Sequence, residues 1–205
     1  MAVFAAAVLV AVPSALAGGK ETDAPNAPAA DNPGTALAVP AAPEDRAKVL
    51  EELFDRLAKA KTPAEADPLK SQIRAQWLNS GSPTIDLLLV RDAQAGLAKD
   101  SALRRRLLEA VTHLAPASLE GWNRRAELDY SDGRLGEAMA DIGHVLMIEP
   151  RHFDALEGLA AMLKETGRNG LALKAFRQLK AIDPTSANIQ TEIDELARKV
   201  EGQKI

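Results

Sequence analysis

The chain contains no cysteine. Disulfides, thiolate zinc sites, cysteine nucleophiles and lipid attachment through an N-terminal cysteine are therefore excluded. Aromatic residues make up only 3% of the 205 positions. β-Branched residues are sparse, and no stretch sustains the period-2 alternation of a half-buried strand. The basic footprint of a nucleic-acid binder is also missing, since the formal charge is −4. Much of that acidity lies between Gly18 and Glu44, where Lys20 stands against Glu21, Asp23, Asp31 and Glu44. The remainder is nearly neutral and carries no strong field to steer a charged partner. What is abundant is alanine and leucine within a 46% hydrophobic content, which favours helices. The expected fold class is all-α.

The first seventeen residues, MAVFAAAVLVAVPSALA, carry no charged side chain. An apolar run from Ala2 to Val12, the breaker Pro13-Ser14 and the small-x-small site Ala15-Leu16-Ala17 read as a secretory signal over 1–17. The run falls short of the ~18–20 apolar residues of a membrane span. The n-region offers only the amino terminus where lysine or arginine is usual, so an uncleaved anchor is the alternative. This predicts a periplasmic protein with no membrane span after processing. Residues 18–43 hold Pro25, Pro28, Pro33, Pro40 and Pro43, with alanine as nearly all of the apolar content. Such a segment reads as a disordered linker.

Helical periodicity begins at Glu44. Leu50, Leu53, Phe54 and Leu57 follow the i, i+3, i+4, i+7 rule. Thr62-Pro63-Ala64-Glu65 starts a second helix as a capping box with proline at the first helical position, and Leu69, Ile73 and Trp77 line one face. Asn79-Ser80-Gly81 ends that helix and Ser82-Pro83 caps the next. Residues 44–82 are thus expected to form an antiparallel helical hairpin.

A shift of 34 residues gives the strongest self-match in the chain. Pro116, Pro150 and Pro184 fall in register, as do Val111, Val145 and Leu179, and Leu108, Ile142 and Phe176. Between the last two units the match extends to Trp122 with Leu156, Ala126 with Ala160, Gly133 with Gly167 and Ala138 with Ala172. Each position has a physical task. The glycines end a helix in the left-handed region. The small pairs Ala126/Ala138 and Ala160/Ala172 let two antiparallel helices approach closely. The prolines stop the second helix and turn toward the next unit. One such unit cannot bury its apolar stripe alone, so the units must stack.

These residues resemble the tetratricopeptide repeat. The resemblance is close for 119–152 and 153–186 and looser for 83–118. In that degenerate unit Lys99 replaces the turn glycine and Arg104 the small alanine, so its helices are expected to splay or its loop to differ. Residues 187–205, with Ile189, Ile193 and Leu196 apolar, look like the helix that caps such arrays. The stretch from Trp77 to Leu88, WLNSGSPTIDLL, is similar to segments preceding the repeats in exported α-proteobacterial proteins. The family resemblance implies a right-handed superhelical stack of antiparallel helix pairs, with the hairpin before it and the capping helix after it. It also implies a non-catalytic scaffold that holds a protein or peptide partner on a concave face lined by the first helix of each unit. Carried over by position, that face holds Asn123, Glu127 and Tyr130, then Glu157, Ala161 and Lys164. The family's clamp for a terminal carboxylate wants lysine and asparagine where Asn123 and Glu127 stand, so a basic or apolar peptide fits better. The alternative is a self-associating structural module of a larger envelope complex, a homo-oligomer paired through the apolar hairpin.

Nothing in the sequence points to catalysis, a cofactor or a metal. His113, His144 and His152 form no HExxH or i, i+4 pair, which favours packing or surface roles. There is no glycine-rich phosphate loop and no nucleophile elbow. Arg104-Arg105-Arg106 reads as a solvated face balanced by Glu109 and Asp100, and Trp122 as a core residue.

Overall fold

The structure, a computed structural model, describes residues 43–202. The signal and nearly all of the linker expected over 1–43 lie outside them. Among the described residues all regular structure is helical: α1 (Pro43–Lys59), α2 (Pro63–Leu78), α3 (Pro83–Leu97), α4 (Ser101–Leu114), α5 (Leu119–Ser131), α6 (Leu135–Ile148), α7 (Phe153–Glu165), α8 (Asn169–Ile182) and α9 (Ala187–Glu201).

The helices pack in sequential pairs, α1 on α2, α3 on α4, α5 on α6 and α7 on α8, with α9 against α8. Local chemistry sets the pair boundaries. Ser118 and His152 cap α5 and α7 by accepting the Gly121 and Ala155 amides at 3.2 and 3.1 Å. Pro116, Pro150 and Pro184 each sit two residues beyond the end of α4, α6 and α8, at equivalent corners. Gly133 and Gly167 turn the first helix of a unit into the second with φ of +75° and +73°. Lys99 occupies the same place with φ +56°. The degenerate unit therefore keeps the left-handed turn and its α3–α4 packing, contrary to the expected splay. It does so with a lysine where glycine would cost less.

At the N-terminal hairpin, Thr62 caps α2 by accepting the Glu65 amide at 3.3 Å, and Glu65 reaches back to the Lys61 amide at 2.9 Å. Ser82 occupies the position before α3 but its hydroxyl caps nothing. The Ser80 hydroxyl instead donates to Asp86 at 2.6 Å and ties that turn.

The hairpin does not continue the stack on the α3–α4 side. Outside itself it packs against α5, α7 and α8. Leu53, Phe54, Leu57, Leu69, Ile73 and Trp77 join Phe153, Leu156, Ala160, Phe176, Leu179 and Leu196 in one apolar cluster. Leu57, Ile73 and Leu196 are fully buried, each stabilising by roughly 2–3 kcal/mol before entropy. Polar anchors ring this cluster: Arg74 grips Asp154 with two bonds at 2.7 and 2.8 Å, Lys70 meets Asp183 at 3.0 Å, and Arg151 grips Glu51 at 2.8 and 2.9 Å. The hairpin's apolar stripe is thus used inside the chain and is not left over for a second copy.

Candidate partner-binding groove

Asn123, Glu127 and Tyr130 recur every three to four residues along α5 and so share one face. Asn123 is buried, and its side-chain amide donates to the Glu127 carboxylate at 3.1 Å. The Tyr130 hydroxyl donates to Glu165 of α7 at 3.2 Å, which places the two first helices side by side. On α7, Glu157 and Ala161 are exposed, while Lys164 turns to pair with Glu192 of α9. Tyr130 thus joins α5 to α7, Glu157 and Ala161 are accessible, and Lys164 is committed to the capping helix.

The charge along this face is predominantly acidic. Glu127 is open to solvent in area, yet its carboxylate is hemmed by surrounding protein. That loss of water, ahead of repulsion from Glu120, pushes it up to about 7, with Arg124 and Arg104 offsetting only part. Glu157 is raised as well, chiefly by lost solvation and then by Asp154, against the pull of Lys70 and Arg74. Among the described residues neither Glu127 nor Glu157 has an ion-pair partner of its own. Lys70 and Arg74 approach from α2 and border the α7 side of the groove, a contribution hidden in the sequence by a separation of 80 residues between Arg74 and Asp154. The Arg124 guanidinium donates to the Leu89 carbonyl at 2.8 Å and pairs with Glu120, tying α5 to α3.

The remaining candidates fall as follows. Ala126, Ala138, Ala160 and Ala172 are buried at the helix crossings, and Phe176 is buried beside them. Trp122, expected in the core, packs against the cluster of Ala126, Ala138 and Val145 but is only half-buried. Its Nε1 donates to the Pro116 carbonyl at 2.8 Å, its ring stacks on His144 at 4.1 Å, and the Arg125 guanidinium lies over it at 4.6 Å. His152 is buried and stacks on Trp77 at 4.0 Å, and His113 is exposed. The arginine run is not a uniformly solvated face. Arg104 pairs with Asp92 at 2.9 Å and Arg105 with Asp129 and Asp132 at 2.8 and 2.7 Å, while Arg106 is exposed. No cluster of three metal-ligating side chains occurs among the described residues.

A TPR repeat-containing protein of Rhizobium etli is 38% identical over 155 residues, 76% of each chain. The chain belongs to the tetratricopeptide-repeat proteins. No family model matches it. Solved tetratricopeptide structures share the fold at low identity. MamA AMB-1 aligns over 77% of this chain and 84% of its own, at 16% identity and a TM-score of 0.52. The Sgt2 TPR domain from Aspergillus fumigatus aligns over 58% and 81%, at 20% identity and a TM-score of 0.51. The first TPR of Spaghetti (RPAP3), solved bound to the HSP90 peptide SRMEEVD, aligns over 57% and 93%, at 10% identity and a TM-score of 0.52. In tetratricopeptide terms α3, α5 and α7 are the first helices of successive units, and the Asn123–Glu127–Tyr130 face belongs to the middle one. No described helix of this tetratricopeptide protein is long and apolar enough to cross a membrane.

Proposed function

We propose that this protein is a non-catalytic adaptor of the bacterial cell envelope that holds a basic segment of a partner protein against the α5–α7 groove. The observation that carries this reading is the pair of carboxylates, Glu127 and Glu157, which have no cation of their own among the described residues. An incoming lysine or arginine would supply the missing charge, and the accessible area of Glu127 lets a ligand reach it. Peptide capture by a solved relative supports the mode, and the acidic character of the groove argues for a ligand of opposite sign to SRMEEVD. The uncharged segment 1–17 supports the envelope assignment.

The test is binding of paired peptides, one bearing lysine and arginine and one with those residues changed to glutamate, by titration calorimetry. The basic peptide should bind, the acidic one should not, and Glu127→Lys should weaken the basic peptide at least tenfold. Equal affinity for both peptides, or no effect of Glu127→Lys, rejects the groove. Sequencing of the protein recovered from cells should begin at Gly18, and recovery of a soluble cytosolic form starting at Met1 rejects the envelope assignment.

A further inference from the structure

The first repeat has an open end. The face of α3 and α4 directed away from α5 has no substantial packing against another described helix, because the hairpin that precedes it in the chain is anchored on α5, α7 and α8. That face is apolar. Leu87, Val90, Leu97 and Leu114 expose 53, 53, 85 and 62% of their surface, together roughly 500 Å² and toward the upper end of what a soluble monomer leaves open. Leu103, Leu107 and Ala110 are half-buried beside them. With these and the stems of Arg91 and Arg106, the face comes close to the ~800 Å² per partner of a standard stable interface.

Its spacing is self-complementary. Positions 103, 107, 110 and 114 on α4 are separated by four, three and four residues, and 87, 90, 94 and 97 on α3 by three, four and three. Both patterns read the same in either direction. Turned about a two-fold axis, α4 sets Leu103 against Leu114 of the copy and Leu107 against Ala110. On α3 the same operation sets Leu87 against Leu97 and Val90 against the uncharged Gln94. An isologous interface requires a patch that matches itself when reversed, and a four-three spacing is the seam of helices packed at a shallow angle.

We propose that two copies of this chain associate through the open α3–α4 face, forming a two-fold dimer around a four-helix layer. The groove on α5 and α7 remains free in each copy, so the dimer would present two such grooves. This inference does not depend on what the groove holds.

Sedimentation equilibrium of the full chain tests it. The expected result is a concentration-dependent mass approaching two chains, reduced to one chain in the double variant Leu87→Glu/Leu114→Glu. Both positions are exposed, so the variant should keep its helical circular dichroism and melting temperature. Met147→Glu, at an exposed site on α6, should leave the dimer intact. A wild-type monomer at every concentration overturns the proposal and leaves the face to a protein of different sequence. A dimer that survives the double variant overturns it too, as does one lost equally in Met147→Glu.

Discussion

Asp92 and Arg104 stand where the other two units hold the small pairs Ala126/Ala138 and Ala160/Ala172. Read alone, Arg104 looks like a defect in the repeat. In three dimensions the pair replaces close helix contact with a buried ion pair at 2.9 Å, and Asp92 is 1% exposed. Removing one partner strands a buried charge, which costs far more than removing both. Arg104→Ala should therefore destabilise the protein by about 3 kcal/mol in urea unfolding, toward the low end because Arg124 also reaches Asp92 at 3.3 Å. Asp92→Ala/Arg104→Ala recreates the alanine pair and should recover most of that loss. A double variant no more stable than the single one would refute the substitution of one device for the other.

At the scale of the element, the hairpin is attached through a stack that senses acid. His152 caps α7 through Nδ1, which accepts the Ala155 amide, and its ring lies against Trp77 of α2. Protonation would abolish the cap and place a charge in that packed seam. Burial accordingly lowers its pKa from 6.5 to about 4, while Asp154 and Glu149 pull the other way. A depressed histidine stays neutral in the fold while the unfolded chain takes up a proton. Its stabilising contribution is full above pH 6.5 and is lost as pH falls toward 4, in total on the order of 3 kcal/mol. Glu127, raised to about 7, acts in the opposite direction over much of that window, so the net profile of the wild type blurs both. His152→Asn keeps a capping oxygen and removes the titration. Urea midpoints from pH 7 to 4 should fall less steeply in this variant than in the wild type, and parallel curves would count against the assignment.

For the whole molecule, the consequence of the solenoid is a face whose charge no single unit determines. Glu127 feels Glu120 on its own helix and Asp154 on α7, with Arg104 acting from α4. With a pKa of about 7, the ionised fraction rises from roughly one tenth at pH 6 to roughly nine tenths at pH 8. Affinity for a lysine-bearing peptide should therefore increase across that range in the wild type and stay level in Glu127→Gln, measured by calorimetry at fixed ionic strength. A wild-type affinity independent of pH would remove Glu127 from the contact.

The repeat units, their turns and their stop signals were legible in the sequence. They depend on contacts within one 34-residue unit, and those impose their chemistry locally: left-handed glycines at 133 and 167, prolines at 116, 150 and 184, alanines at the crossings. Helical spacing alone puts Asn123, Glu127 and Tyr130 on one face of α5, whereas reading that face as a binding surface came from the family resemblance and not from the residues. The destination of the hairpin was not. Arg74 meets Asp154 across 80 residues and Arg151 meets Glu51 across 100, and no periodic signal connects such pairs. Nor could spacing show that Lys164 is claimed by Glu192 while Glu127 has no ion-pair partner among the described residues. Only the tertiary structure decides which charges are neutralised and which apolar face stays open, because both depend on what each helix is packed against.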